Sequence, residues 1–310
     1  MGQNGRWQRA AKASRHLASP SMGHYAALSL FIHREEGAMK RILILLGLLI
    51  LSFSLVSTPA EAKTLLNIIK DGKIVVGVKA DYPPWSAINE KSDFEGWEID
   101  LCRKLAEYLY GDPSKVEFVA VTSDNRIKLL NSGKIDIIWA TMGQTPQRAQ
   151  EVDFSVPYFE SGVRLLAKKG SGINSIYDLN DKKVITIKGT TGAQALAELV
   201  PKAKQIKLDT THEAIQALRN DQGVAFAQDD LLVFTLAMYN PEFEVVGEHF
   251  NTTYWGVAVR KGEEDVKAFI DVSLRLMYET GFLQESLKKW WGGWVLDEYL
   301  RRIEKVFQER

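Results

Sequence analysis

The chain has 310 residues, enough for one large domain or two modest ones that each bury a real core. Its 45% hydrophobic and 25% charged residues are ordinary for a globular protein. Lys plus Arg equals Asp plus Glu at 39 each, so the chain lacks the positive field of a general nucleic-acid binder, and its one cysteine, Cys102, excludes an intramolecular disulfide.

The first strong signal lies inside the chain. Met39-Lys40-Arg41 opens a positive segment, an apolar run follows from Ile42 to Val56, and Ala60-Glu61-Ala62 supplies small residues in an A-x-A arrangement. This is the layout of a secretory signal peptide over 39–62, with cleavage expected after Ala62. The alternative is a membrane anchor, but the apolar run of about 15 residues falls short of a span. No cysteine stands at the cleavage site to take a lipid. Residues 1–38 then read as an upstream extension, with translation expected to start at Met39. The mature chain, 63–310, carries 32 Lys plus Arg against 36 Asp plus Glu, a net charge of −4. That suits a secreted protein with no stable membrane insertion after cleavage.

Along the mature chain, Lys73 to Lys79 alternates and is β-branched, which predicts a strand. Apolar residues at helical spacing over 98–110 predict a helix, with Cys102 on its buried face and Gly111-Asp112-Pro113 as its stop. Val116 to Val121 predicts a second strand. Ser123 is placed to cap a helix ending near Gly133, and Ile135 to Ala140 reads as a third strand. Strands then recur at Val163 to Lys168, Lys183 to Lys188, Val224 to Gln228 and Tyr254 to Arg260. Gly189-Thr190-Thr191-Gly192 opens a helix through about Val200, and Thr211 is placed to cap a helix over 212–221. This alternation predicts parallel sheets built from βαβ units, in two lobes joined by ordered crossings. Leu296 to Gln308 is a terminal helix expected to pack on its own lobe, with partner docking as the alternative.

Three features carry chemistry suited to a free amino acid, which presents a carboxylate, an ammonium and a side chain. Thr145-Pro146-Gln147-Arg148 reads as a helix start with Thr145 as cap. Arg148 there opposes the helix dipole, and a guanidinium can instead fork onto a carboxylate; a surface salt bridge is the plain alternative. The Gly189 to Gly192 turn can offer N–H groups and a hydroxyl to an anion, although many helix starts look alike. Asp229, ending an apolar strand, is placed either to receive an ammonium or to cap the next helix.

Seven segments in order tie these together: Lys79-Ala-Asp-Tyr-Pro-Pro-Trp85, Gly96-Trp-Glu-Ile-Asp-Leu101, Ser132-Gly-Lys-Ile-Asp136, Thr145-Pro-Gln-Arg148, Val152-Asp-Phe-Ser155, Gly189-Thr-Thr-Gly192 and Gly256-Val-Ala-Val-Arg-Lys-Gly262. The set resembles the family 3 bacterial extracellular solute-binding proteins, the polar amino acid receptors of ABC importers. The resemblance implies an α/β, two-lobed, type II periplasmic-binding-protein clamshell, each lobe a mainly parallel sheet flanked by helices. Lobe 1 would be 63–159 plus 254–310 and lobe 2 would be 163–247, with hinges near 160–162 and 248–253. It implies a free amino acid as ligand, an ABC permease as partner, a periplasmic or secreted location, a monomeric state, and neither cofactor nor metal.

By position, the resemblance makes Arg148 the clamp on the α-carboxylate, helped by Thr191 and Gly192, and Asp229 the acceptor for the α-ammonium. Tyr82 becomes the aromatic wall, framed by Trp85, and Thr141 and Gly143 line the first lobe. Many members carry a hydroxyl where Gly143 stands, so only its backbone can contribute. Lys79 and Arg126 match the cations of glutamate- and aspartate-binding members, which favours an acidic ligand, with glutamine or another polar amino acid next. The alternative is that Asp81 or Asp124 neutralises these cations. A dehydratase-type enzyme on the same fold and a ligand sensor reporting to a receptor are the rival functions. His212 and His249, the only mature histidines, sit in contexts typical of surface residues.

Overall fold

The computed structural model describes residues 63–308, so the expected upstream extension and signal peptide lie outside the described residues. A short helix α1 (Leu65–Lys70) leads into β1 (Ile74–Val78). Three small strands, β2 (Asp81–Tyr82), β3 (Ser86–Ile88) and β4 (Phe94–Glu95), then pair antiparallel as a separate flap. Helix α2 (Trp97–Tyr110) buries Trp97, Ile99, Leu101, Cys102, Leu105 and Ala106. It stops at Gly111, whose φ of 71° a residue with a Cβ would adopt only at a cost.

Next come β5 (Val116–Ala120), α3 (Arg126–Asn131), β6 (Ile137–Ile138), β7 (Val152–Phe154) and the long β8 (Phe159–Lys168). The chain continues through β9 (Lys183–Ile187), α4 (Thr191–Leu199), β10 (Lys204–Leu208), α5 (Thr211–Arg219), β11 (Ala225–Asp229) and α6 (Asp230–Tyr239). It returns along β12 (Phe243–Trp255) to β13 (Ala258–Arg260) and ends in α7 (Glu264–Glu279), α8 (Phe282–Trp290) and α9 (Gly293–Gln308).

Two five-stranded sheets result, ordered β5-β1-β6-β13-β7 and β10-β9-β11-β8-β12. Each has three parallel strands extended by antiparallel ones, so the sheets are mixed where pure βαβ winding predicts parallel pairing. The antiparallel strands are the ones that carry the chain into and out of the second sheet. Glu160 pairs with Tyr254, Ser161 with Thr253 and Gly162 with Thr252, so both crossings lie on one two-stranded ribbon. The polar stretch before Tyr254 gives no strand signal by itself. It becomes extended because β8 offers ladder partners to residues 251–255, after an irregularity between Val246 and Asn251.

Two cap positions differ from the sequence reading. Thr210 rather than Thr211 caps α5, in a capping box with Glu213, and the Ser123 hydroxyl is taken by Lys79 instead of capping α3. Trp85 anchors a buried aromatic cluster, with ring centroids 5.2 Å from Trp97, 5.0 Å from Trp255 and 4.6 Å from Trp291.

Helix α9 buries Tyr299, Ile303 and Val306 of the Leu296, Tyr299, Ile303 and Val306 stripe that the sequence offers, with Val295 buried in place of the half-buried Leu296. Its Phe307 stacks on Tyr278 of α7 at 4.5 Å, within the first lobe. It also reaches further than a helix confined to its own lobe. Arg302 Nη1 lies 2.7 Å from Asp230 Oδ2 at the start of α6, and Lys305 Nζ lies 2.7 Å from Glu160 on the crossing ribbon.

Candidate functional site

The carboxyl ends of the strands in both sheets converge on one small, tightly closed cavity. From the first lobe, Lys79 follows β1, Arg126 opens α3, and Thr141 and Arg148 follow β6. From the second, Thr191 opens α4 and Asp229 closes β11. Tyr82, on the flap, donates its hydroxyl to Asp229 Oδ2 at 2.9 Å. This placement, at strand ends and helix starts of facing α/β layers, is where open sheets of this kind hold ligands.

Seven of the residues expected at the site thus line one cavity: Lys79, Tyr82, Arg126, Thr141, Arg148, Thr191 and Asp229. Two glycines contribute through backbone. The Gly143 carbonyl accepts from Arg148 Nη1 at 2.6 Å, and Gly192 packs where an added Cβ would stand 2.8 Å from the Ala227 carbonyl. Trp85 does not frame the cavity. It is fully buried in the aromatic cluster, where Tyr299 and Trp291 from the end of the chain pack against it. Ser123, Thr190 and Gln228 line the cavity without having been singled out for it. The Gly189-Thr190-Thr191-Gly192 turn and the residue beside Asp229 were visible signals for two of them, whereas Ser123 was read only as a cap.

Arg148 does not begin an α-helix. It opens a three-residue 3-10 turn, Arg148–Gln150, with the Thr145 hydroxyl accepting its N–H at 3.3 Å. So short a turn has little dipole, and the electrostatic cost invoked from the sequence disappears. The guanidinium spans the lobes, donating to Gly143 O and, through Nη2 at 2.8 Å, to Gly189 O. Asp81 Oδ2 crosses the same gap to accept from Thr211 N at 2.7 Å. The lobes are therefore in contact over the cleft.

The electrostatics are uneven. Three cations, Lys79, Arg126 and Arg148, are each at least nine-tenths buried. Their hydrogen bonds go to neutral acceptors: Lys79 Nζ to Ser123 Oγ at 2.7 Å, Arg126 Nη1 to Ala140 O at 2.6 Å, and Arg148 to the two carbonyls above. Asp81 gives its hydrogen bond to Thr211 N rather than to Lys79, and acts on that ammonium through its field alone. Burial, reinforced by the charge of Arg126, brings the Lys79 ammonium down to about 8. Burial also lowers Arg148 to about 10. Burial pushes the Asp229 carboxyl up to about 6, against the Tyr82 hydrogen bond, and its Oδ1 has no partner. Unsatisfied buried oxygens next to unpaired buried cations are rare in stable cores and characteristic of binding sites.

A zwitterion answers this arrangement: a carboxylate can take the forked guanidinium, and an ammonium the free Asp229 oxygen. The fold and cleft are those of a type II, two-lobed periplasmic binding protein. The sequence profile of the bacterial extracellular solute-binding proteins, family 3, matches residues 74–293, and the chain belongs to that family.

Among known proteins, the chain is 38% identical over 236 residues to the ABC transporter glutamine-binding protein GlnH of Bacillus subtilis, covering 76% of this chain and 86% of that one. It is 28% identical to the glutamate/aspartate import solute-binding protein of Escherichia coli, covering 76% and 81%. The crystal structure of a solute receptor for L-cysteine from Neisseria gonorrhoeae superposes with a TM-score of 0.71 at 33% identity, covering 73% and 93%. These relatives are amino acid-binding proteins. Among the described residues, no helix is long and apolar enough to cross a membrane.

Proposed function

We propose that this chain is the periplasmic or secreted substrate-binding component of an ABC importer, holding one free polar amino acid between its lobes and presenting it to a permease as a monomer. The observation that carries the reading is the set of three buried cations without carboxylate partners beside the free oxygen of Asp229. In this reading Arg148, with the N–H groups of Thr191 and Gly192, clamps the α-carboxylate. Asp229 receives the α-ammonium, and Tyr82 walls the ligand while holding Asp229 in place. Lobe 1 (63–159 and 254–310) and lobe 2 (163–247) hinge on the ribbon near 160–162 and 248–253, and closure joins Arg148 to the Gly189 turn. Lys79 and Arg126 are left for the ligand side chain, which favours glutamate or aspartate.

A second ligand, glutamine, is supported by the 38% identity to a glutamine-binding relative. A carboxamide oxygen can also accept from Lys79 or Arg126, but it adds no charge to offset theirs.

Calorimetric titration of residues 63–310, stripped of bound ligand, with the twenty amino acids tests both. Tight binding of glutamate or aspartate is expected, falling at least a hundredfold in Arg148→Ala, about 3 kcal/mol for losing one side of a buried charged contact. Lys79→Met should weaken glutamate far more than glutamine. Tight binding of glutamine alone would replace the acidic ligand. Binding of no amino acid, with turnover of a prephenate-like substrate, would bring the dehydratase reading forward.

A further inference from the structure

Glu98 is a charged group that the ligand reading does not use. It sits in the first turn of α2, is fully buried, and does not line the cavity. Its Oε1 accepts the Thr141 N–H at 2.9 Å and the Tyr158 hydroxyl, while Oε2 is buried without a partner. Thr141 stands at a φ of +45°, a conformation that a β-branched residue adopts only when its surroundings impose it. The segment so pinned is the one whose carbonyls hold the site. Ala140 O takes Arg126, and Gly143 O takes Arg148.

The carboxylate also acts through its field. The charged and titratable groups around it are Lys79 after β1, Arg126 on α3, Tyr82 on the flap, Tyr158 before β8 and Cys102 one turn along α2. The two cations among them are those assigned to the ligand side chain.

We propose that Glu98 is a specificity-determining residue of the cleft: it positions the 140–143 segment that holds both guanidiniums, and its charge sets how strongly the side-chain pocket prefers a carboxylate over a carboxamide. This rests on the polar amino acid reading above. With Glu98 ionised, the three buried cations stand against three nearby carboxylates, Glu98, Asp229 and Asp81. With Glu98 neutral they stand against two, and an anionic side chain is drawn in more strongly. Burial pushes the Glu98 carboxyl up to about 7, so that balance changes near neutral pH. Asp229, at about 6, acts on the ammonium common to every amino acid, and its field on Lys79 and Arg126 is present in wild type and variant alike, so it drops out when the two are compared.

The test is calorimetric titration of wild type and Glu98→Gln with L-glutamate and L-glutamine between about pH 5.5 and 7.5. The glutamine oxygen can accept the same two hydrogen bonds, so the segment stays in place while the charge goes. At the upper pH, the affinity ratio of glutamate to glutamine should rise about tenfold in the variant. The wild-type ratio should fall as pH rises through the window, and the variant ratio should change less, because Lys79 and Asp229 titrate in both proteins but Glu98 only in the wild type. Equal weakening of both ligands, or an unchanged ratio, would reduce Glu98 to a structural prop and overturn the inference. Should the variant not fold, Tyr158→Phe removes one donor from Glu98 and should move the pH of the ratio change upward; no movement overturns the inference equally. Wild-type protein that binds neither ligand overturns the parent reading, and this inference with it.

Discussion

Asp229 and Asp230 are consecutive, both buried, and opposite in use. Asp229 faces the cleft with one hydrogen bond, from Tyr82, and a free Oδ1. Asp230 faces the back of the hinge. There it meets His249 Nε2 and Arg302 Nη1, each at 2.7 Å, and lies within 3.3 Å of Ser161 Oγ and Gly162 N. Burial raises the first carboxyl to about 6, whereas the bonds from His249 and Arg302 overcome burial and hold the second below the usual carboxylate range. The contrast extends to the cations. At the back, Arg302 and Lys305 meet carboxylates; in the cleft, Lys79, Arg126 and Arg148 meet only neutral oxygens. A buried charge that is paired holds the fold together, and one left unpaired is held ready for a ligand.

The strongest way to break this contrast is at the back. Asp230→Asn should cost about 3 kcal/mol of stability, because it leaves Arg302 largely buried with only Glu298 for a counter-charge. Urea unfolding reads this directly, and a change below about 0.5 kcal/mol would show the cluster to be ornamental.

Asp229→Asn should do the reverse and stabilise the ligand-free protein by up to about 3 kcal/mol at pH 7, since a carboxyl raised from 3.8 to about 6 opposes folding when ionised. The same variant should lose ligand. The two aspartates also differ in pH sense. Asp229 takes up a proton more readily folded than unfolded, so its contribution to stability declines as pH rises from about 4 to 6. The lowered Asp230 contributes stability above its unfolded value and loses it as pH falls through its folded one. Thermal melts of the two Asn variants against pH should therefore deviate from wild type in opposite directions. The smallest effect is expected at His249→Ala, about 1 kcal/mol, because Arg302 still holds Asp230.

Much of this molecule is legible in its residues. The β1 strand, the apolar face of α2 and its Gly111 stop follow from local chemistry and appear as expected, although β1 is buried along its length rather than alternately. Arg148, Asp229 and the Gly189 turn could be picked out because the chemistry of a zwitterion asks for those groups. Trp85 shows the limit. It stands three residues after Tyr82, yet one ring walls the cleft and the other is covered by Tyr299 and Trp291. Which way each ring turns depends on partners from the far end of the chain.

The sequence by itself determined most of the element types, the two-lobed α/β plan and the kind of groups available to a ligand, because periodicity, turn residues and side-chain chemistry are local properties. Only the tertiary structure decided that a polar stretch would become β12, that α9 would reach Asp230 across the hinge, and that Glu98 would stand behind both guanidiniums. These depend on hydrogen bonds and charges meeting across long separations in the chain, and such meetings have no local signature.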